Sequence, residues 1–163
     1  MSGRAWKFGD NISTDLIASG RYAYLRTNLP ELTKHVLEDA RDEFRSEVKT
    51  GDFVVGGTNF GMGSSREHAP TVIKMAGVSC IAAKSFARIF FRNCINIGLP
   101  AISVDTDKID DGDKLELDLF AGVLKDITKG IELKFPAMPK VMTDILAAGG
   151  LIPYMKANKG FKL

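Results

Sequence analysis

An α/β fold is predicted from three stretches of this sequence. Val78-Ser79-Cys80-Ile81-Ala82-Ala83 is an apolar run that reads as a buried parallel strand. Asp52-Phe53-Val54-Val55-Gly56 is shorter, bounded by glycine, and reads as a second buried strand. Between them, Thr71 to Ala76 followed by Gly77 has the pattern of a short helix with a glycine at its C-terminal end. A strand–turn–helix centre with an added layer of β structure is therefore the expected architecture. A chain of 163 residues suits one domain spanning 1–163, long enough to bury a core.

From the N-terminus, Ala5-Trp6-Lys7-Phe8 alternates and is expected to be an edge strand. Gly9 to Asp15 is a polar, turn-rich loop in which a Ser/Thr-Asp pair ordinarily caps a helix. Tyr24-Leu25-Arg26-Thr27 precedes a helix whose start is marked by Asn28 and Pro30, with Leu32, Val36 and Leu37 at helical spacing. His35 stands among charged residues of that helix and is expected on its solvated face.

After the second predicted strand comes the densest motif, Gly57 to Pro70, reading GTNFGMGSSREHAP. Proline is tolerated in a first helical turn and disfavours helical geometry in the residue before it. Regular helix is thus expected from about His68, which leaves Ser64, Ser65 and Arg66 in the turn feeding it. Gly61 and Gly63 permit positive φ and a close approach of ligand to backbone. The amides at a helix start carry partial positive charge, and Arg66 can grip a carboxylate with two parallel hydrogen bonds. Ser64 and Ser65 offer hydroxyls that donate to an oxyanion or, once deprotonated, act as a base or nucleophile. A purely structural turn, with the serines capping the helix and Arg66 paired to Glu67 or water, uses the same residues. Neither a Gly-Lys-Ser/Thr phosphate loop nor a dinucleotide fingerprint is present.

Farther on, Lys84-Ser85 opens a helix from Phe86 to Asn96, with Ser85 as the expected N-cap and Ile89, Phe90 and Ile97 as expected core. Arg88 and Arg92 fall on one face of it, suited to solvent, a substrate cleft or a partner. Leu99 to Val104 gives a third strand. Asp111-Gly112-Asp113 then begins an antiparallel meander through Lys114–Leu119, Gly122–Asp126 and Ile131–Phe135. Pro136 and Pro139 end the meander, and Val141, Ile145 and Leu146 form a last helix stopped by Gly149-Gly150.

A net charge of +2 gives no reason to expect nucleic acid or an anionic membrane as partner. No apolar run reaches the ~18–20 residues of a membrane span, and no signal-peptide core opens the chain, so a cytoplasmic protein is expected. The two cysteines, Cys80 and Cys94, lie apart in apolar stretches and cannot supply the usual all-cysteine ligand set of an iron–sulfur cluster.

GDNISTDLI, GMGSSREHAP and KSFARIFFRN, in this order and across most of the chain, resemble the small subunits of aconitase-type dehydratases, of the isopropylmalate dehydratase and homoaconitase kinds. The resemblance implies a three-layer β/β/α swivelling domain of the aconitase type. It implies reversible dehydration and rehydration of a 2- or 3-hydroxy acid, with isopropylmalate in leucine biosynthesis the expected substrate and a homocitrate-like tricarboxylate the alternative. It implies a [4Fe–4S] cluster held by a large-subunit partner in a heterodimer, with no metal on this chain. By the same resemblance Ser64 is the base and Arg66 its catalytic companion, while Gly63, Ser65, Thr14, Asp15 and Arg26 contact substrate. Asp15 is expected to orient an arginine or the substrate. The Tyr24–Thr27 loop resembles the segment that distinguishes substrates in related archaeal enzymes, where arginine goes with homoaconitase-like forms and an apolar residue with isopropylmalate forms. A stand-alone carboxylate- or phosphate-binding module and a regulatory subunit are the readings from other classes.

Overall fold

The computed structural model describes residues 1–158 and 160. In chain order the elements are β1 (Ser2–Lys7), α1 (Thr14–Ile17), α2 (Leu29–Thr33), α3 (Phe44–Glu47), β2 (Phe53–Val55), α4 (His68–Met75), β3 (Cys80–Ala83), α5 (Arg88–Ile97), β4 (Ala101–Ser103), β5 (Lys114–Asp118), β6 (Val123–Asp126), β7 (Ile131–Lys134), α6 (Lys140–Ala147) and α7 (Leu151–Asn158). A 3₁₀ segment, Gly20–Leu25, lies between α1 and α2.

The strands form one seven-stranded sheet in the order β4-β3-β2-β1-β5-β6-β7. The first four are parallel neighbours, while β5 to β7 continue as the antiparallel meander. β1 is thus the middle strand and not an edge. Its first half, Ser2 to Arg4, pairs with β5, and its second half, Ala5 to Lys7, pairs with β2. The alternation that suggested an edge does not carry into burial, because Ala5 and Trp6 are both fully buried on opposite faces. Asp52, itself buried, fixes the start of β2 by accepting from Trp6 Nε1 at 2.9 Å and from the amides of Arg4 and Lys49.

Alternation along the parallel strands divides the core in two. Trp6, Val54 and Ile81 face α1, α2 and α4 in one apolar cluster. Ala5, Phe53, Val55, Cys80 and Ala82 point the other way, into a cluster shared with Leu115, Leu117, Leu124 and Leu133 of the meander. The sheet therefore curls so that its antiparallel half closes the back of its parallel half, which gives the β/β/α layering. α5 serves both cores, with Phe90 and Cys94 in one and Ile95 in the other.

Several local expectations change. The helix after Asn28 ends at Thr33, and Leu37 has a φ of 55°, yet Val36 and Leu37 are buried. Their spacing reported burial rather than helix. His35 is half-buried, stacked on Tyr22 with ring centroids 3.8 Å apart and bonded to Glu38 at 2.9 Å, so it is not a solvated residue. Ser85 does not cap α5; its hydroxyl accepts the Asn59 amide at 2.8 Å, and the helix begins at Arg88. Ile89 is 43% exposed instead of core. α7 was not anticipated, since Gly149-Gly150 reads as a stop; Pro153 sits in the first turn, where its missing N–H costs nothing. Among the described residues no helix is long and apolar enough to cross a membrane.

Candidate active site

The loops leaving β1 and β2 emerge side by side, because these strands are parallel neighbours and both loops start from carboxyl ends. The crevice outside the carboxyl ends of parallel strands is where open α/β sheets place their ligands. Backbone hydrogen bonds zip the two loops together: Gly57 N to Gly9 O at 3.0 Å, Asn11 N to Thr58 O at 2.8 Å, Gly61 N to Ile12 O at 2.7 Å and Thr14 N to Met62 O at 2.8 Å. Asp10 adds a side-chain tie by accepting the Thr58 amide at 2.6 Å, a bond that holds its carboxyl below the usual carboxylate range. The chain between Gly57 and Glu67 is thereby fixed against the start of α1.

Two glycines are required here. Gly61 has a φ of 79°, and a Cβ on it would stand 2.0 Å from the Phe90 ring. Gly63 has a φ of 108°, and its Cβ would stand 2.9 Å from Thr14 Oγ1. Any side chain at either position would push the loop off its supports.

The supported residues are Ser64, Ser65 and Arg66. Ser64 is half-buried and donates its amide to Thr14 Oγ1 at 3.0 Å, and the two hydroxyl oxygens lie 3.2 Å apart. Arg66 Nη1 pairs with Asp15 Oδ1 at 3.1 Å, leaving the rest of the guanidinium edge free. Asp15 stands in the first turn of α1, whose N-cap is Ser13. Ser65 is exposed and held through its carbonyl, which accepts from Asn93 Nδ2 at 3.2 Å. The amides of Ser65 and Arg66, next to Ser64 in the chain, donate to no described residue. α4 then starts at His68, where the sequence placed it, with Pro70 in the first turn.

Arg26 belongs to the same neighbourhood. It and Arg66 line one small cleft, together with Thr14, Ser19, Tyr22 and His68. Arg26 is half-buried; its amide donates to Ala23 O at 3.4 Å, and its guanidinium makes no hydrogen bond or ion pair with another described residue. His68 was not singled out in the sequence. Its Nδ1 is buried without a hydrogen-bond partner among the described residues, a feature that only the folded arrangement reveals. Arg88 and Arg92 are exposed on α5.

Cys80 and Cys94 are buried and free, and burial pushes both thiols up, which leaves neither as a ready thiolate ligand. Among the described residues no group of three or more His, Cys, Asp or Glu is arranged to hold a metal ion. An iron–sulfur cluster does not fit this chain's own donors. What the loop can do is bind carboxylate through Arg66 and free amides, and present a serine oxygen to it.

Residues 12–107, which contain the loop after β2 and the end of the loop after β1, match the aconitase C-terminal domain family. The 3-isopropylmalate dehydratase small subunit 2 of Archaeoglobus fulgidus is 58% identical over 163 residues, covering 100% of this chain and 99% of the relative. Small subunit 1 of the same enzyme from Thermotoga maritima is 59% identical over 162 residues, covering 99% and 98%. A crystal structure titled 3-isopropylmalate dehydratase, from Methanocaldococcus jannaschii, superposes with a TM-score of 0.91 at 46% identity, covering 97% of this chain and 94% of that one. With its loops, its curled sheet and its full length shared with these proteins, the chain belongs to the aconitase C-terminal domain family.

Proposed function

We propose that this chain is the small subunit of a 3-isopropylmalate dehydratase, a hydro-lyase of leucine biosynthesis that converts 2-isopropylmalate to 3-isopropylmalate by dehydration and rehydration. The observation that carries the reading is the meeting of Ser64 and Arg66 on one loop, each held by a residue of α1, with free amides beside them. Relatives at 58% and 59% identity over 99% or more of this chain, each named as a 3-isopropylmalate dehydratase small subunit, support the same activity.

Dehydration of a hydroxy acid must remove a proton from one carbon and hydroxide from its neighbour. Ser64 takes the proton: the C–H bond breaks, its electrons form the C=C bond, and the departing hydroxide with that proton makes up the water. A serine hydroxyl is far too weak an acid to ionise unaided, so its alkoxide needs the positive field of Arg66 and the open amides of Ser65 and Arg66. Arg66 also grips a substrate carboxylate with the edge that Asp15 leaves free, which sets the distance between the C–H and Ser64. Ser65 and the backbone at Gly63 border the same carboxylate. The Lewis-acid half, withdrawal of the hydroxyl, would be supplied by a [4Fe–4S] cluster on a large subunit, the partner this reading requires. The chain alone should bind substrate weakly and turn over nothing.

One observation favours a second substrate. The Arg26 guanidinium, without a partner among the described residues, stands on the cleft that Arg66 also lines, where a third carboxylate would gain a charged hydrogen bond and an isopropyl group would not. Isopropylmalate remains the first choice, since a half-buried arginine on a surface loop can turn its guanidinium to water. The test is reconstitution with the large subunit and assay on isopropylmalate and on homocitrate. Turnover of isopropylmalate supports the proposal, and turnover of homocitrate alone replaces it with the second reading.

A further inference from the structure

We propose that Thr14 is a positioning residue for proton transfer, donating its hydroxyl proton to Ser64 Oγ; this rests on the reading of Ser64 as the base. The sequence suggested that Thr14 touches substrate. In the fold it is only 2% exposed, beneath Ser64.

The assignment follows from counting donors and acceptors. A threonine hydroxyl carries one proton and two acceptor positions. The Ser64 amide can only donate, so at 3.0 Å it uses one acceptor position of Thr14 Oγ1. The remaining contact of that hydroxyl is Ser64 Oγ at 3.2 Å, where geometry alone allows either oxygen to donate. If Ser64 donated, the Thr14 proton would need another acceptor. Thr14 is only 2% exposed, and its hydroxyl bonds to no other described residue. Buried hydroxyl protons are almost always paired. Thr14 therefore donates and Ser64 accepts.

Two consequences bear on the reaction. Ser64's own proton is turned away from Thr14, toward the open side of the loop. When that proton is gone, the Thr14 O–H remains bonded to the alkoxide, now as a stronger charge-assisted bond. Gly63 fits the same scheme, since a Cβ there would stand 2.9 Å from Thr14 Oγ1 and displace the hydroxyl. One residue thus sets both the rotamer and the basicity of the serine.

The experiment uses the assembled complex with the large subunit. Thr14→Val keeps the shape and removes the donor; kcat should fall about 100-fold with KM within about threefold. The ascending limb of the pH–rate profile should move to higher pH, a change that mere loosening of the loop would not produce. Thr14→Ser should restore kcat to within about threefold. In a Ser64→Ala background, Thr14→Val should cost no further rate, because it acts only through Ser64. Should Thr14→Val fail to fold, Thr14→Cys places a weaker donor at the same point and should give an intermediate kcat. Wild-type kcat in the valine or cysteine variant, or an equal loss in the Ser64→Ala background, overturns the proposal. If Ser64→Ala itself keeps wild-type activity, the reading of Ser64 as base fails and the role of Thr14 falls with it. If Ser64→Ala is inactive while Thr14→Val is not, the role of Thr14 alone is overturned.

Discussion

Replacing Arg66 by lysine keeps the charge and removes the fork. In the structure one guanidinium nitrogen, Nη1, is engaged by Asp15 at 3.1 Å, and the remaining donors are free for a carboxylate. A lysine ammonium is a single point that must choose between Asp15 and substrate, and it cannot present two parallel donors to either. The variant therefore loses at least one charge-assisted hydrogen bond to substrate, worth about 1.5–3 kcal/mol, or roughly 10- to 150-fold in kcat/KM. Arg66 is 36% exposed, and water screening places the expected effect toward the lower end. Because the same grip sets the distance from the C–H to Ser64, kcat should fall as well as KM rise. Steady-state kinetics of the reconstituted complex separate the two parameters. If Arg66→Lys keeps kcat/KM within threefold of wild type, the bidentate grip is wrong and Arg66 supplies only a local positive field.

Two further perturbations probe the cleft and the fold. Arg26→Val in the complex should leave isopropylmalate turnover intact or improved and should raise KM for a tricarboxylate by roughly tenfold or more; collapse of isopropylmalate turnover contradicts this. Asp126 is buried, its Oδ2 has no hydrogen-bond partner among the described residues, and burial together with the neighbouring Asp113 carboxylate pushes its carboxyl above the usual range. A raised folded-state value favours stability at low pH and forfeits it as pH rises through that value. Asp126→Asn, neutral throughout, should match wild type in acid and melt higher toward neutral pH, by about 2–4 °C for about 1 kcal/mol. A gap that is absent or of opposite sign in thermal melts at several pH values refutes this.

Much of the site was legible in the sequence because it is local. Strand, glycine turn, Ser-Ser-Arg and the helix start at His68 occupy consecutive residues, and Pro70 dictates where regular helix can begin. The partnership of Arg66 with Asp15 was expected in kind, although the residues lie 51 apart in the chain. What could not be read was set by long-range packing. β1 looked like an edge because alternation cannot show that β5 would return to cover its other side. Ser85 has the chemistry of a cap, but the incoming Asn59 amide claims its hydroxyl. His68 carries no sequence signal beyond its type, and its orphaned Nδ1 exists only once the cleft around Arg26 and Arg66 has formed. The role of Thr14 is likewise a matter of which hydroxyl lies beneath Ser64 in the fold.

Turnover and substrate affinity of the Ser64→Ala variant, measured together in the reconstituted complex, bear most directly on the proposed chemistry. A general base contributes roughly 10²- to 10⁴-fold to rate, while Arg66 and the open amides, which hold the carboxylate, are untouched by this change. The expected result is a fall in kcat by about three orders of magnitude with the substrate Kd within about threefold of wild type. Turnover within tenfold of wild type, or a loss that appears in Kd instead, would contradict the assignment of Ser64 as the base.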